Sequence, residues 1–577
     1  MNKKLISIIL SFGLLFSSTQ TTSIVLAENN NIDTNSENIE TIEQDKNKLD
    51  DALISDKEEN VDSNKIEFSD TQKSEKSYTV SNARELQTKL EEIKNAPDTE
   101  ITIVLTANID TSVEFSGVKG KNIILKSEGS NKFTFNLAEN IQGNIVLDNV
   151  KLVATEANVY ASGNKFETTA NFEGTITNIY GGGNESTEVN GDTNLILRGG
   201  NFRSIYGGGY NSTVTGNTNV IFDGASIAIS NWGNNQRIIG GGYGDGSNKG
   251  VVNGNTNVKI ISGILGVTTS TINGNQDNGC GIYAGGFNKS NTDFSTSAMV
   301  TGDTNLEFGG KNDGDIIVGN DNGYVRGANY SSGSYRSTIL GNAKLTLKEG
   351  SQMAYIDQYG NMNTPNLYGG GLEDHIKGVV NVNISGGNNM QWRDNFGETK
   401  GSQDGITLYL GGKINKDYAV NINGSIIENV NNEPYAATLN MTGGSLAKVY
   451  AVENVSPFYS NSKYEGIRGN VKVNISGEST EVAEIHGSYS GGAIEQNNEN
   501  SKSEITVSNQ AKFRSVSDTE ELKLNNMGSD GNEARIKLLQ RINNVILDNS
   551  HIYIGYKAWY SGETNKIECM PWVKNLT

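Results

Sequence analysis

The segment TNLILRGGNFRSIYGGGYNSTVTG (193–216) decides the fold. It holds three short strand-like pieces, NLILRG, FRSIYGG and STVTG, punctuated by Gly, Asn and Ser and without helical periodicity. Three strands with corners in about two dozen residues match one turn of a parallel β-helix. A propeller blade needs roughly 40–50 residues in four antiparallel strands.

The segment recurs. IYGGG stands at Ile179–Gly183 and Ile205–Gly209, IIGGG at Ile238–Gly242, IYAGG at Ile282–Gly286 and LYGGG at Leu367–Gly371. Weaker copies are VRGAN (325–329), LYLGG (408–412), VYA (449–451) and IHGSY (485–489). Interleaved are GDTNL (191–195), GNTNV (216–220), GNTNV (254–258), GDTNL (302–306) and GNAKL (341–345), fading to GVVNV (378–382), YAVNI (418–422) and GNVKV (469–473). Spacing runs from 26 residues (Ile179 to Ile205) up to 41–44 (Leu408 to Val449, Ile282 to Val325 and Ile238 to Ile282 among them). One coil with insertions explains both lengths, and the shorter is too small for a blade. The predicted class is all-β: a β-solenoid of about 12–14 coils, which at ~4.8 Å each makes a rod of roughly 60–70 Å.

At coil corners Gly supplies positive φ or close approach to the next coil. Asn tolerates the left-handed region and can ladder between coils. Asn194, Asn219, Asn257 and Asn305 are the candidate ladder. The aliphatic before each Gly run points inward. Period 2 then sends Tyr180, Tyr206, Tyr283, Tyr368, Tyr409 and Tyr450 outward, an exposed aromatic ladder that either contacts a ligand or steadies the stack. Insertions fall mainly between the TNV strand and the IYGGG strand across 216–408. Solenoid insertions map to one face, often the binding face.

The ends differ from the repeat. Residues 1–27 carry Lys3 and Lys4, an apolar stretch from Ile6 to Phe16 and small residues before Glu28, the order of a secretory signal peptide. Residues 28–77 hold 15 acids against 6 bases, about half of the chain's net −19, and are expected to be a disordered acidic spacer. A cap and first coils occupy 78–160, Gly/Asn-rich coils 161–515, and a last coil with an aromatic cap 516–577. SNARELQTKLEEIKNA (81–96) predicts a capping helix with Asn82 and Glu85 as a capping box, and EARIKLLQRI (533–542) reads as helix-like. Strands are expected at 101–105, 122–127, 133–137, 144–152 and 543–554.

With 66 acids against 47 bases the chain is no nucleic-acid binder. No later apolar run is long enough to span a membrane, so a secreted or extracellular monomer, in contact with the cell surface or free, is expected. Cys280 and Cys569 are expected as unpaired thiols. Asp313, Asp315 and Asp321 in NDGDIIVGNDNG (312–323), with Arg326 nearby, offer oxygen ligands for Ca²⁺ or a polar turn. His375, His486 and His551 form no zinc pattern, and His486, at a repeat Tyr position, reads as a packed strand residue. Tyr553, Tyr556, Trp559, Tyr560 and Trp572 either lid the last coil or stack on sugar.

A cap helix, extended strands ending in NIVLDNVKL and then Gly/Asn-cornered coils resemble the pectin-lyase-like right-handed parallel β-helix proteins over about residues 78–555. More narrowly, the chain resembles the large repetitive, adhesin-like surface or secreted proteins of Gram-positive bacteria. That resemblance implies a binding module for a glycan or a surface protein, or alternatively a polysaccharide lyase or glycoside hydrolase. Tyr180, Tyr206, Tyr283, Tyr368 and Trp559 are the candidate ligand contacts. The polygalacturonase series NTD, DD, GH[DG], RIK is broken: NTD stands at 291–293 and RIK at 535–537, with no DD or GH[DG] between them. No catalytic residue is assigned.

Overall fold

The computed structural model describes residues 75–577 apart from 228–235, 267–279, 290–295, 311–315, 319–323, 332–336, 357–361, 392–403, 412–425, 452–466, 488–501, 530–533, 539–541, 555–572 and a few shorter positions. The described residues form a parallel β-helix within one compact unit, Lys73–Thr577.

Its first wall runs from Glu75–Val80 through Glu100–Leu105, Asn122–Ser127, Asn144–Asp148 and Lys165–Thr168 to Thr193–Leu197, each strand pairing in parallel with the next. It continues through Thr218–Ile227, Thr256–Leu265, Thr304–Phe308, Ala343–Leu347 and Val380–Asn388, and ends on Ile542–Asp548 and Val573–Leu576. The register is the one the repeat implies: Thr193, Thr218, Thr256 and Thr304 stack, as do Asn194, Asn219, Asn257 and Asn305. The second wall stacks Thr175–Tyr180, Asn201–Tyr206, Arg237–Ile239, Gly281–Tyr283, Tyr324–Arg326, Asn366–Tyr368 and Thr407–Tyr409. A third, narrower wall begins as single bridges through Val189, Val214, Val252, Val300 and Ile339. It widens to Ser337–Ile339, Asp374–Ile376 and Ile426–Ile427. The third strand-like piece of the repeat unit, STVTG, therefore contracts to the single bridging residue Val214.

Alternation explains the core. Leu195, Leu197, Phe202, Ile205 and Val220 point inward and are buried, as are their counterparts in coil after coil. Thr193, Thr218 and Thr304 turn inward at the start of their strands, and their hydroxyls donate to Gly207, Gly240 and Gly327 carbonyls at 2.5–2.6 Å. A β-branched hydroxyl thus closes these three coils with its polar atom paired, whereas Thr256 Oγ1, in the same register, is buried without a hydrogen-bond partner.

In the Gly-led copies the corner admits no side chain where it stands, although the equivalent position is Ala284 or Leu410 in other coils. A Cβ on Gly181, Gly207 or Gly240 would stand 2.3, 2.2 or 2.0 Å from the carbonyl oxygen of the same corner one coil on. Close approach, not positive φ, is the requirement here. Positive φ appears at other corners, at Asn149, Asn509, Asn526 and Asn549.

At the N-terminal end the helix Ala83–Asn95 lays Leu86, Leu90 and Ile93 on the core. Asn82 accepts from Glu85 N at 3.0 Å, but the Glu85 carboxylate reaches back to Ser81 N rather than to Asn82. The strand Glu75–Val80 starts inside the segment assigned to the spacer. EARIKLLQRI is not helical where it is described: Ala534–Leu538 is a second-wall strand paired with Lys512–Ser517 and with Ile552–Ile554. Pairing on both sides outweighs the helix propensity of Glu, Ala, Arg and Leu.

Candidate functional site

In the second wall the residue after each core aliphatic forms one column: Tyr160, Tyr180, Tyr206, Ile239, Tyr283, Arg326, Tyr368, Tyr409, Tyr450, His486 and Ser517. The rings stack, with centroids 5.1 Å apart for Tyr160–Tyr180, 4.6 Å for Tyr180–Tyr206 and 5.1 Å for both Tyr368–Tyr409 and Tyr409–Tyr450.

The ladder is real, but it is not exposed. Tyr180, Tyr206, Tyr283 and Tyr368 retain 3–5% of their surface. The Gly triad folds the chain back across the column, and the residue after it lays a second aromatic layer on the first: Tyr210, Tyr243 and Phe287. These stack among themselves at 5.0 and 5.4 Å and meet the inner rings edge-on, Tyr210 on Tyr180 and Tyr243 on Tyr206. Arg237 lies 4.2 Å over Phe287. Tyr180 has a ring on each face and all four tyrosines are buried, so they do not present the contact surface expected of them. Burial pushes the Tyr160 phenol up to about 12 and raises Tyr180 and Tyr206 as well. The covering layer was readable as the aromatic directly after the Gly run in GGGY (240–243) and AGGF (284–287).

The outer side of the first wall is polar. Asn219 Nδ2 donates to Asn194 Oδ1 at 3.2 Å, Asn257 to Asn219 at 3.0 Å and Asn305 to Asn257 at 3.0 Å, the ladder expected from the repeat. A second ladder, not anticipated, runs beside it at the corner. The Oδ1 atoms of Asp192, Asn217, Asn255, Asp303 and Asn342 each accept the backbone N–H at or next to the equivalent position one coil on, at 2.7–3.0 Å. Its mark in the sequence is the Asp or Asn after Gly in every GxTN copy.

On the third wall Glu428 gathers His375 Nε2 (2.8 Å), Lys377 Nζ (2.6 Å) and Arg468 (3.4 Å). Desolvation works against its charge, but the Lys377 and His375 contacts outweigh it and hold the carboxyl below its usual range. At the far end of the aromatic column His486 stacks on Tyr450 at 4.6 Å, a packed strand residue as expected, and also contacts Ser517 and Glu484.

The insertions leave one corner. Segments 228–235, 267–279 and 319–323 follow Ile227, Leu265 and Val318, which stand in register one coil after another, and each precedes the next second-wall strand. In the next two coils the same connection carries antiparallel stems, Tyr355–Ile356 with Met362–Asn363 and Met390–Gln391 with Asp404–Gly405. Segments 412–425, 452–466 and 488–501 follow second-wall strands in the chain, as 290–295 and 332–336 do in earlier coils.

Asp313, Asp315, Asp321 and Trp559 lie outside the described residues. Arg326 falls in register between Tyr283 and Tyr368. Among the described residues no three His, Cys, Asp or Glu side chains are grouped to hold a metal ion, and no helix is long and apolar enough to cross a membrane. No protein-family model, curated protein or solved structure matches the chain.

Proposed function

We propose that the protein is an exported binding module of the adhesin-like, pectin-lyase-like β-helix kind, carried by a Gram-positive cell and holding a glycan or a surface protein against the corner where its insertions emerge. The observation that carries this reading is the alignment of those insertions. Five consecutive coils, from Thr218–Ile227 to Val380–Asn388, each lengthen the connection between first and second walls. Stacked coils are about 4.8 Å apart, so the points at which these connections leave the coil follow one another along a rigid core.

The test uses an immobilised panel of polysaccharides and purified matrix proteins, with binding read by biolayer interferometry. A variant replacing 392–403 with Asn-Gly keeps the stem Met390–Gln391/Asp404–Gly405 and should lose binding to whichever panel member the intact chain holds. Reducing-end and unsaturated-product assays run in parallel. Chain cleavage, or binding untouched by loss of the insertion, would overturn the proposal.

A further inference from the structure

The aromatic column of the second wall ends in a change of chemistry. Tyr368, Tyr409, Tyr450 and His486 stack in order, with 15° between the last two planes. One coil further on, the position in register with His486 belongs to Ser517. A hydroxymethyl group cannot cover an imidazole as one ring covers another. Instead Ser517 Oγ stands 2.8 Å from His486 Nδ1. The other ring nitrogen, Nε2, is 3.4 Å from Glu484 Oε2. Glu484 precedes His486 by two residues on the strand Thr480–His486, so alternation puts both on one side. Ser517 ends its own strand, and Asp518, at φ 53°, turns the chain away at the corner.

Hydroxyl, imidazole and carboxylate in this order are what nucleophilic acyl transfer needs: a nucleophile, a base within hydrogen-bond reach and a group that orients the base. We propose that Ser517, His486 and Glu484 form a serine-nucleophile centre that hydrolyses short-chain carboxylic esters. Glu484 accepting from Nε2–H selects the tautomer whose Nδ1 is free to take a proton. Ser517 Oγ bonds to the ester carbonyl carbon as its proton passes to Nδ1. The C–O bond to the alcohol breaks, and the departing oxygen takes that proton. Water then adds to the acyl carbon, giving a proton to Nδ1, and Ser517 Oγ leaves with it as the carboxylic acid is released. Lys448, 3.5 Å from Glu484 Oε2, pairs with the orienting carboxylate and holds it charged. Ser517 is 3% exposed, which limits the substrate to a small acyl group. The activity is separate from ligand holding: ester hydrolysis leaves a polysaccharide backbone whole, so neither result decides the other.

The full chain is incubated with a fluorophosphonate–biotin probe and, separately, with 4-nitrophenyl acetate, alongside Ser517→Ala, His486→Phe and Glu484→Gln. Phenylalanine keeps a ring on Tyr450, and alanine removes one oxygen, so both retain the stack. The labelled peptide should contain Ser517. Labelling and ester turnover should fall about 100-fold or more in the first two variants and about tenfold in the third. A second readout is the alkylation of Ser517→Cys by iodoacetamide, which should slow when His486→Phe is added. Equal labelling of parent and Ser517→Ala, no labelling of the folded parent, or alkylation indifferent to His486 would each overturn the proposal.

Discussion

Gly240→Ala should open the solenoid locally while leaving distant coils intact. The added methyl carbon would stand 2.0 Å from the Ala284 carbonyl oxygen and 2.9 Å from Val258 Cγ2. Restoring ordinary contact requires the two coils to separate by about 1 Å at that corner. Gly240 N to Tyr283 O (2.9 Å) and Gly241 N to Gly285 O (2.8 Å) would then pass beyond hydrogen-bond range, and the Thr218 hydroxyl would lose Gly240 O (2.5 Å). Three bonds at about 1 kcal/mol each, with overpacking of about 1–3 kcal/mol, partly relieved by local shifts, give about 3–5 kcal/mol. A solenoid opens by neighbouring units, so the assay is amide hydrogen exchange by mass spectrometry. Peptides spanning 237–243 and 281–287 should lose roughly 10²–10³-fold protection, while Asn470–Ser476 and Ser503–Ser508 stay unchanged. The control is Ala284→Gly, at the equivalent corner, where loss of a buried methyl costs about 1 kcal/mol. Protection within threefold of the parent at 237–243 would refute the argument that this corner excludes a side chain for steric reasons.

Asn257→Leu removes the amide that donates to Asn219 and accepts from Asn305, and should lower stability by about 1–2 kcal/mol in urea melts followed by exchange at 218–222 and 304–308. Asn257→Asp keeps the acceptor and should restore the bond from Asn305 alone, an intermediate loss. The Tyr160 phenol, raised to about 12, is neutral in the fold over a range where the unfolded chain's phenols ionise. Its contribution is therefore complete below about pH 10 and lost between about 10 and 12. Ultraviolet titration should show tyrosines ionising late and together with unfolding, and Tyr160→Phe should blunt that alkaline loss. Cys280 is free and fully buried, with its thiol pushed up to about 12 by desolvation. It should resist iodoacetamide in the native protein and react on denaturation, and native alkylation at position 280 would contradict its placement in the core.

Much of the scaffold was legible in the residues. The Asn194–Asn219–Asn257–Asn305 ladder and the inward Ile of each IYGGG were readable because a parallel coil places equivalent residues on one another, so sequence period becomes spatial register. The candidate site was less legible. Period 2 states that Tyr206 lies opposite Ile205; it does not state that solvent lies there. The Gly corner that allows close approach also returns Tyr210 and Tyr243 over the column, so the side called outward became a second, smaller core. Ala534–Leu538 carries strong helix formers, and only the strands on either side make it extended.

The linear chain determined which residues repeat, and with them the coil, its amide ladders and its glycine corners, since these follow from nearest-neighbour stacking of like on like. Only the tertiary structure decided what each wall faces and which unlike residues meet. His486 and Ser517 are brought together by coil register across a connection whose length carries no signal of it. Glu428 draws His375, Lys377 and Arg468 from two neighbouring coils. Register between coils depends on backbone pairing summed along three walls, and no local stretch of sequence contains that sum.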